Sequence, residues 1–305
     1  MFDERLNDKQ ICAWTAAGML APLAHVSGAG WQAMAAACVV LLPLGMAARS
    51  GWKNMGKVLL TVELIWLVAM MAHLLRASGL YWPAKNRLAV PVTLLIVAVS
   101  AYQARKAAKV GAVLLCSMVV LFVPVLLCGI SDVEARWLYP EWNDWAWELI
   151  PVLLLGGIGG LWHTGQGKHG RSILLIGVYG IAAALITQGV LSMGICAREK
   201  APLYVLAQTL HIGGVSRFEA LVSTAVTLGY YATTSLMLCA GIEMAQRLGM
   251  SSRTGVAVVA AGVISVWLSG VEISAGVAAV GALILWGFAP LACVKKKSKK
   301  SEKSA

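Results

Sequence analysis

Long runs of apolar residues alternate with short polar connections along the whole chain of 305 residues. Many of these runs approach the length of about 20 residues that an α-helix needs to cross a bilayer. We therefore predict an all-α integral membrane protein with about ten transmembrane helices. The predicted segments are residues 11–26, 30–48, 57–77, 88–104, 109–130, 147–163, 171–195, 217–246, 254–270 and 273–293.

The composition supports this class, because 59% of the residues are hydrophobic and 13% are charged, whereas soluble proteins carry about 25% charged residues. The net charge is +11, but the basic residues lie between apolar runs and in the tail, so they indicate topology and not nucleic-acid binding. With the N-terminus inside, 18 of the 25 lysines and arginines lie on the cytosolic side. We predict that both termini are cytosolic, with one transmembrane domain at 1–294 and a disordered basic tail at 295–305.

The stretch Leu149 to His163, LIPVLLLGGIGGLWH, opens the second half of the chain and contains four glycines in five positions: Gly156, Gly157, Gly159 and Gly160. Each glycine costs a helix about 1 kcal/mol relative to alanine. We therefore predict a break in this helix, and a break at membrane depth is tolerated where it is buried in protein or lines a cavity. Close packing against a neighbouring helix is the alternative, because glycines let two backbones approach.

Ten helices divide into five plus five, and an odd number in each half gives the halves opposite orientations. The expected repeats are about 9–130 and about 145–294. The first helix of the first half is interrupted by Gly18, Pro22, Gly28 and Gly30. Because broken helices at corresponding positions mark the ligand site of many transporters, we expect a central site between the first and sixth helices. Their free N–H and C=O groups suit the carboxylate and ammonium of an amino acid.

Glu63 is the clearest charge inside a predicted membrane segment, six residues beyond Lys57. A carboxylate at the centre of a membrane helix is costly, so it is a candidate site for a substrate amine or a proton. The alternatives are a hydrogen bond to a neighbouring helix or a reach back to Lys57. His73 and Arg76 are expected at the outer interface.

The eighth predicted segment carries polar residues every three or four positions: Glu219, Ser223, Thr227, Tyr230 or Tyr231, and Thr234. This stripe is expected to face a pathway or another helix, although serine and threonine also bond to their own i−4 carbonyls. Glu243 and Arg247 are spaced as an i,i+4 ion pair. The predicted ligand site comprises Gly18, Pro22, Glu63, Gly156, Gly157, Gly159, Gly160, Thr227, Tyr230 and Tyr231.

Catalytic signatures are absent from the sequence. It contains no HExxH, no GxSxG and no acid-rich metal cluster. GWKNMGKV, from Gly51 to Val58, approaches a phosphate-binding loop, but Val58 replaces the hydroxyl that would hold Mg²⁺. Seven scattered cysteines show no CxxC spacing. We therefore expect neither enzymatic activity nor a cofactor or metal.

The run KAPLYVLAQTLHIGGVSRFEALVSTAVTLGYYATTSLMLCAGIE, from Lys200 to Glu243, resembles the later part of the permease-like B subunit of GerA-type spore germination receptors. The matching features are Pro202 and the Arg-x-Glu of Arg217 and Glu219. The N-terminal part is similar too: Gln10, Gly18, Pro22 and Trp31 match in order, and MGK at 55–57 stands where the family tends to have Leu-Gly-Lys.

The resemblance implies a fold of the amino acid/polyamine/organocation superfamily, with five-plus-five inverted repeats and unwound first and sixth helices. It implies a nutrient-sensing subunit in the bacterial cytoplasmic (inner spore) membrane that recognises an amino acid or similar nutrient and works with an A-type membrane subunit and a C-type lipoprotein. The chain departs from the family in its shorter length and in AYQARKAAKV at 101–110, which lacks the usual glycine and arginine. An amino-acid permease, a ten-helix drug/metabolite-type exporter and a structural membrane subunit remain alternatives.

Overall fold

A computed structural model describes residues 7–140, 143–162, 171–210 and 218–294, and within these ranges the chain is helical without a β-strand. The predicted tail at 295–305 lies outside the described residues. The α-helices are α1 Asp8–His25, α2 Trp31–Ala48, α3 Lys57–Ser78, α4 Ala89–Ser100, α5 Ala104–Ile130, α6 Trp145–Leu154, α7 Arg171–Leu191, α8 Met193–Arg198, α9 Pro202–Thr209, α10 Glu219–Arg247, α11 Ser252–Leu268 and α12 Ala275–Ala282.

Seven helical stretches of the described chain are long and apolar enough to cross a membrane. They contain α1, α2, α3, α5, α7, α10 and α12. Two further apolar helices, Trp145–Leu161 and Ser252–Leu268, are shorter, and α4 has 12 residues. Each of the ten predicted segments coincides with a helix, which confirms an all-α membrane protein; ten crossings and an inverted repeat stay predictions.

α1 and α10 form the centre of the bundle. In their most apolar windows, 94% of the residues in the span that begins with α1 and 83% of those in α10 are buried, against 28% in α5. The outer helices instead expose large apolar side chains: Val39, Ile65, Val120 and Leu175 are each at least 66% exposed. An apolar surface of this extent is stable against lipid and not against water.

The bundle has two ends, which we name after the predicted topology. The inner end contains the start of α1, the end of α2 and the end of α10, where Arg247 donates to the carbonyls of Trp52 (3.2 Å) and Leu161 (2.8 Å). Arg247 also pairs with Glu243 at 3.1 Å, as the i,i+4 spacing predicts. The outer end contains the end of α1 and the start of α10.

The prediction that the first helix breaks at Gly18 and Pro22 is wrong, because α1 continues through both residues and changes to a 3₁₀ turn only at Val26–Ala29. Proline has no N–H, so the Gly18 carbonyl lacks its usual partner four residues later. The Thr233 hydroxyl of α10 donates to this carbonyl at 2.6 Å. A hydrogen bond from the neighbouring helix therefore compensates for the proline.

The predicted break in the sixth segment is found only in part: the α-helix ends where expected, but the chain does not unwind. The α-helix ends at Leu154, and Leu155–Leu161, which contains the four glycines, is a fully buried 3₁₀ helix. The 3₁₀ form keeps the backbone hydrogen-bonded while narrowing the helix, so the glycines do not leave an open, unwound segment.

Candidate functional site

The four glycines pack tightly against α1 and α2. A Cβ on Gly157 would lie 3.0 Å from the carbonyl oxygen of Gly45, and a Cβ on Gly160 would lie 2.6 Å from the Cα of Arg49. On the other side, Gly156 faces the Met19 sulfur and Gly159 faces the Thr15 hydroxyl. The structure therefore gives the glycine stretch a packing role, which was the alternative interpretation of the sequence.

Glu63 lies inside the bundle and is completely buried. Neither of its carboxylate oxygens has a hydrogen-bond partner in the described part of the chain. The two alternative interpretations, a hydrogen bond to a neighbouring helix and a reach back to Lys57, are therefore not observed there. Ten residues separate Glu63 from His73 on α3, which is about 15 Å along a helix axis. Glu63 is thus a buried acid of the interior, separate from the outer end of α3.

The polar stripe of α10 serves two different purposes. At the outer end, Ser223 donates to the carbonyl of Tyr81 at 2.8 Å, and the indole N–H of Trp82 donates to the Thr227 hydroxyl at 2.9 Å. These bonds fix the connection that follows α3. Deeper in the bundle, Thr234 donates to its own i−4 carbonyl, at Tyr230, at 2.6 Å. Packing and self-bonding thus account for much of the stripe.

Tyr230 is the predicted site residue that reaches a cluster of buried polar groups. Its hydroxyl is buried without a hydrogen-bond partner among the described residues, and it interacts electrostatically with Tyr81 and Glu148. The Tyr81 hydroxyl lies 3.3 Å from Nδ1 of His25, and the edge-to-face contact of His25 with Trp145 has a centroid distance of 5.1 Å. We call the set His25, Tyr81, Glu148 and Tyr230 the polar centre.

Tyr231, the neighbouring predicted residue, is not part of the polar centre. It is partly buried and interacts electrostatically with Cys239, whose thiol donates to the carbonyl of Tyr102 at 3.4 Å. Of the ten predicted residues, the structure joins Tyr230 to the polar centre, while Pro22 lies beside it.

Two pockets open at the outer end above the polar centre. The first, of about 390 Å³, is lined by Arg87, Tyr204 and the turn Arg198-Glu199-Lys200. The second, of about 360 Å³, is lined by the same turn together with residues at the start of α6, among them Asp144, Trp145 and Glu148. We call the two together the outer pocket. The outer pocket presents positive charges, negative charges and aromatic rings on the two sides of the shared turn.

A third, small cavity of about 10 Å³ shares Glu148 with the outer pocket. Its lining includes His25 on α1, His73 on α3 and Glu148 on α6, together with the prolines Pro22 and Pro151. His73, which is expected at the outer interface, is partly buried near the end of α3 and lines this cavity. Arg76, one turn further on, instead donates to carbonyls at and just beyond the end of α11.

Sequence reasoning missed most of these residues. His25, His73 and Glu148 belong to no sequence motif, so the sequence did not single them out as site residues. His25 could have been recognised, because it is an ionisable residue near Pro22 in a membrane segment, and such residues commonly have a function. Arg49 was counted as a topology determinant, yet it is 8% exposed and its Nη1 donates to the Cys12 sulfur at 3.3 Å. Its burial follows from packing against the glycine stretch, which the sequence does not show.

No protein-family model matches the chain, and no curated protein matches it either. The functional argument therefore depends on the site itself.

Proposed function

We propose that this chain is an integral membrane protein that binds a small zwitterionic nutrient, such as an amino acid, in the outer pocket. The observation that carries the proposal is the mixed charge of that pocket, where both signs lie on the single turn Arg198-Glu199-Lys200. A zwitterion needs both signs a few ångströms apart. An exporter of apolar drugs would not need them.

The pocket chemistry fits an amino acid in three respects. The guanidinium groups of Arg87 and Arg198 suit a carboxylate, because arginine forms bidentate charge-assisted hydrogen bonds. The carboxylates of Glu199 and Asp144 suit an ammonium group. The two volumes, about 390 and 360 Å³, fall within the range of about 300–1,000 Å³ that is typical of small-molecule sites.

The resemblance to germination-receptor B subunits makes sensing the first form of this function. Ligand in the outer pocket would contact α6 through Asp144 and Glu148, and α6 continues into the 3₁₀ segment that packs on α1 and α2. A ligand that prefers one arrangement of these helices shifts the equilibrium between conformations. An A-type membrane subunit and a C-type lipoprotein would detect that shift in the bacterial cytoplasmic membrane.

An amino-acid permease is the second candidate. The observation that favours it is the polar centre directly below the outer pocket, since buried ionisable groups in membrane proteins commonly mark pathways for solutes or protons. Binding alone satisfies both functions. Net transport distinguishes them.

The test is binding and flux of labelled L-amino acids with the full chain in liposomes. We expect saturable binding that Arg198→Gln weakens at least tenfold, whereas Lys85→Gln has no effect, because Lys85 is a neighbouring outer cation that does not line the pocket. Binding without flux supports a receptor, and concentrative or exchange flux supports a permease. Absence of saturable binding, or equal effects of the two variants, would overturn the proposal.

A further inference from the structure

A groove runs along the side of the bundle between α2, α6 and the segment that follows α12, and we call it the lateral groove. Its volume is about 570 Å³. One face of α2 within residues 33–44 lines it, together with Ala146 and Ile150 of α6 and with Leu283 and Phe288 after α12. The lining is apolar throughout. The lateral groove therefore offers an aliphatic molecule contacts on three sides.

The lateral groove opens sideways, in the direction of the predicted lipid. Val40 and Phe288 at its edges are 64% and 54% exposed, whereas Leu41 and Leu149 at its floor are buried. An empty groove of this kind would forfeit the dispersion contacts of its lining. In a bilayer, hydrocarbon is therefore its natural filling.

A π-helical segment, Leu283–Phe288, shapes one wall of the lateral groove. In an α-helix of 3.6 residues per turn, side chains five positions apart point about 140° away from each other. The i→i+5 hydrogen bonds of a π-helix bring such side chains nearly above one another. Leu283 and Phe288 can therefore both line the groove, and π segments occur frequently at functional sites.

The length of the lateral groove matches one leaflet of a bilayer. Ala33 and Leu44, which line its two ends, lie about 16 Å apart along the axis of α2. The hydrocarbon core of a bilayer is about 30 Å thick. At the inner end the π segment packs on α2, since a Cβ on Gly287 would lie 3.2 Å from the Leu44 side chain. The groove thus spans about half of the hydrocarbon core.

The outer end of the lateral groove adjoins polar groups. Ala146 and Ile150 also line a pocket of about 340 Å³, whose other lining residues are Asn143, Asp144 and Trp147. Trp147 is 52% exposed, and tryptophan is enriched at the membrane–water interface. Asp144 is exposed and gives this pocket a negative charge. An aliphatic chain in the groove can therefore continue into a head that carries an ammonium group.

A transmembrane helix is too wide to enter the lateral groove. A helix with its side chains is about 10–12 Å across, so a 16 Å length of it occupies about 1,300 Å³ or more. This is over twice the volume of the groove. An extended acyl chain is much thinner than a helix. The dimensions therefore favour a lipid over a partner helix.

We infer that the lateral groove binds one phospholipid of the outer leaflet, with an acyl chain between α2, α6 and the π segment and an ammonium headgroup at Asp144. Phosphatidylethanolamine has this chemistry. The site is independent of the proposed function, because it requires no amino acid. A lipid bound there contacts three helices at once and stabilises their arrangement.

The test is photolabelling of the full chain in liposomes without amino acid, using phosphatidylethanolamine that carries a diazirine at the end of one acyl chain. Labelled peptides are identified by mass spectrometry. We expect labelling at Leu44 and Phe288 that saturates as the fraction of labelled lipid rises. Labelling at Val120 of α5, which is 69% exposed, should instead rise in proportion, because bulk lipid reaches it. Proportional labelling at both places would overturn the inference.

Ala37→Phe places a ring in the lateral groove and should abolish the saturable labelling. Ala47→Phe is the matched control, because Ala47 is an exposed residue of the same helix that does not line the groove. Equal effects of the two variants would overturn the inference. Ala36→Phe, at an exposed position that lines the groove, provides the same comparison if Ala37→Phe does not fold.

Two further measurements test the occupant. Phosphatidylglycerol with the same labelled chain should label the groove less than phosphatidylethanolamine does, and Asp144→Asn should remove the difference; equal labelling of the wild type would contradict the headgroup assignment. Native mass spectrometry reports the oligomeric state. A dimer that Ala37→Phe disrupts and Ala47→Phe does not would overturn the inference, in favour of a second copy of the chain.

Discussion

Gly160→Ala tests the packing of the glycine stretch directly. The added Cβ would clash with the Arg49 backbone, with its Cα at 2.6 Å and its carbonyl carbon at 2.7 Å. Backbone atoms cannot rotate away as a side chain can. One helix must therefore shift, and it is held at this end by the bonds of Arg247 to the carbonyls of Trp52 and Leu161.

The magnitude follows from two opposing effects. Inserting a methyl into a tightly packed interior costs about 1–3 kcal/mol. Alanine in place of glycine recovers about 0.4–1 kcal/mol by restricting the unfolded chain. We expect Gly160→Ala to lower the free energy of unfolding by about 1–2 kcal/mol. Gly276→Ala, at the start of α12 with open space around the new methyl, should instead stabilise by up to about 1 kcal/mol.

The assay is unfolding of the full chain in detergent, followed by tryptophan fluorescence. Trp162 lies two residues beyond Gly160, and its ring centroid is 5.3 Å from that of Trp14, so this end of the bundle contributes to the signal. Gly156→Ala should fall between the other two variants, because its Cβ would meet the flexible Met19 sulfur at 3.1 Å. If Gly160→Ala were as stable as Gly276→Ala, the stretch would be an open break and the packing interpretation would be wrong.

Three further predictions concern buried polar groups. Thr233→Val should destabilise by about 1–3 kcal/mol, because it leaves the Gly18 carbonyl without a donor; Thr233→Ser should restore most of the loss in the same unfolding assay. Arg247→Gln should cost about 1–2 kcal/mol through its lost bonds to two carbonyls, whereas Arg253→Gln, at an exposed position, should cost less than about 0.5 kcal/mol. Glu63→Gln should keep the fold, since no hydrogen bond is lost among the described residues. It should leave amino-acid binding in liposomes unchanged, because Glu63 does not line the outer pocket; weakened binding would place the ligand site deeper in the bundle.

The helices of this protein could be predicted well because each is encoded locally. In lipid, a chain must satisfy its backbone polar groups internally, so an apolar run of sufficient length becomes a helix whatever its neighbours are. The end of the α-helix before Leu155–Leu161 could also be predicted, because four closely spaced glycines weaken an α-helix on their own. The buried 3₁₀ helix that replaces the predicted break could not be predicted in this way.

The helix break predicted at Gly18 and Pro22 is absent for a physical reason that is not local in sequence. Proline weakens a helix by removing one hydrogen bond, and the sequence alone shows that loss. The compensating donor, Thr233, is 215 residues away. Only the packing of α10 on α1 brings it within reach.

The candidate site likewise has some features that the sequence shows and some contacts that only the tertiary structure shows. The sequence by itself determined that the protein is an all-α membrane protein, and that Glu63 and the glycine stretch are unusual, because composition and spacing are properties of short segments. Only the tertiary structure brought His25, His73 and Glu148 to one cavity and placed charges of both signs in one outer pocket. Those contacts depend on how the helices rotate and cross, which side-chain packing between distant segments decides.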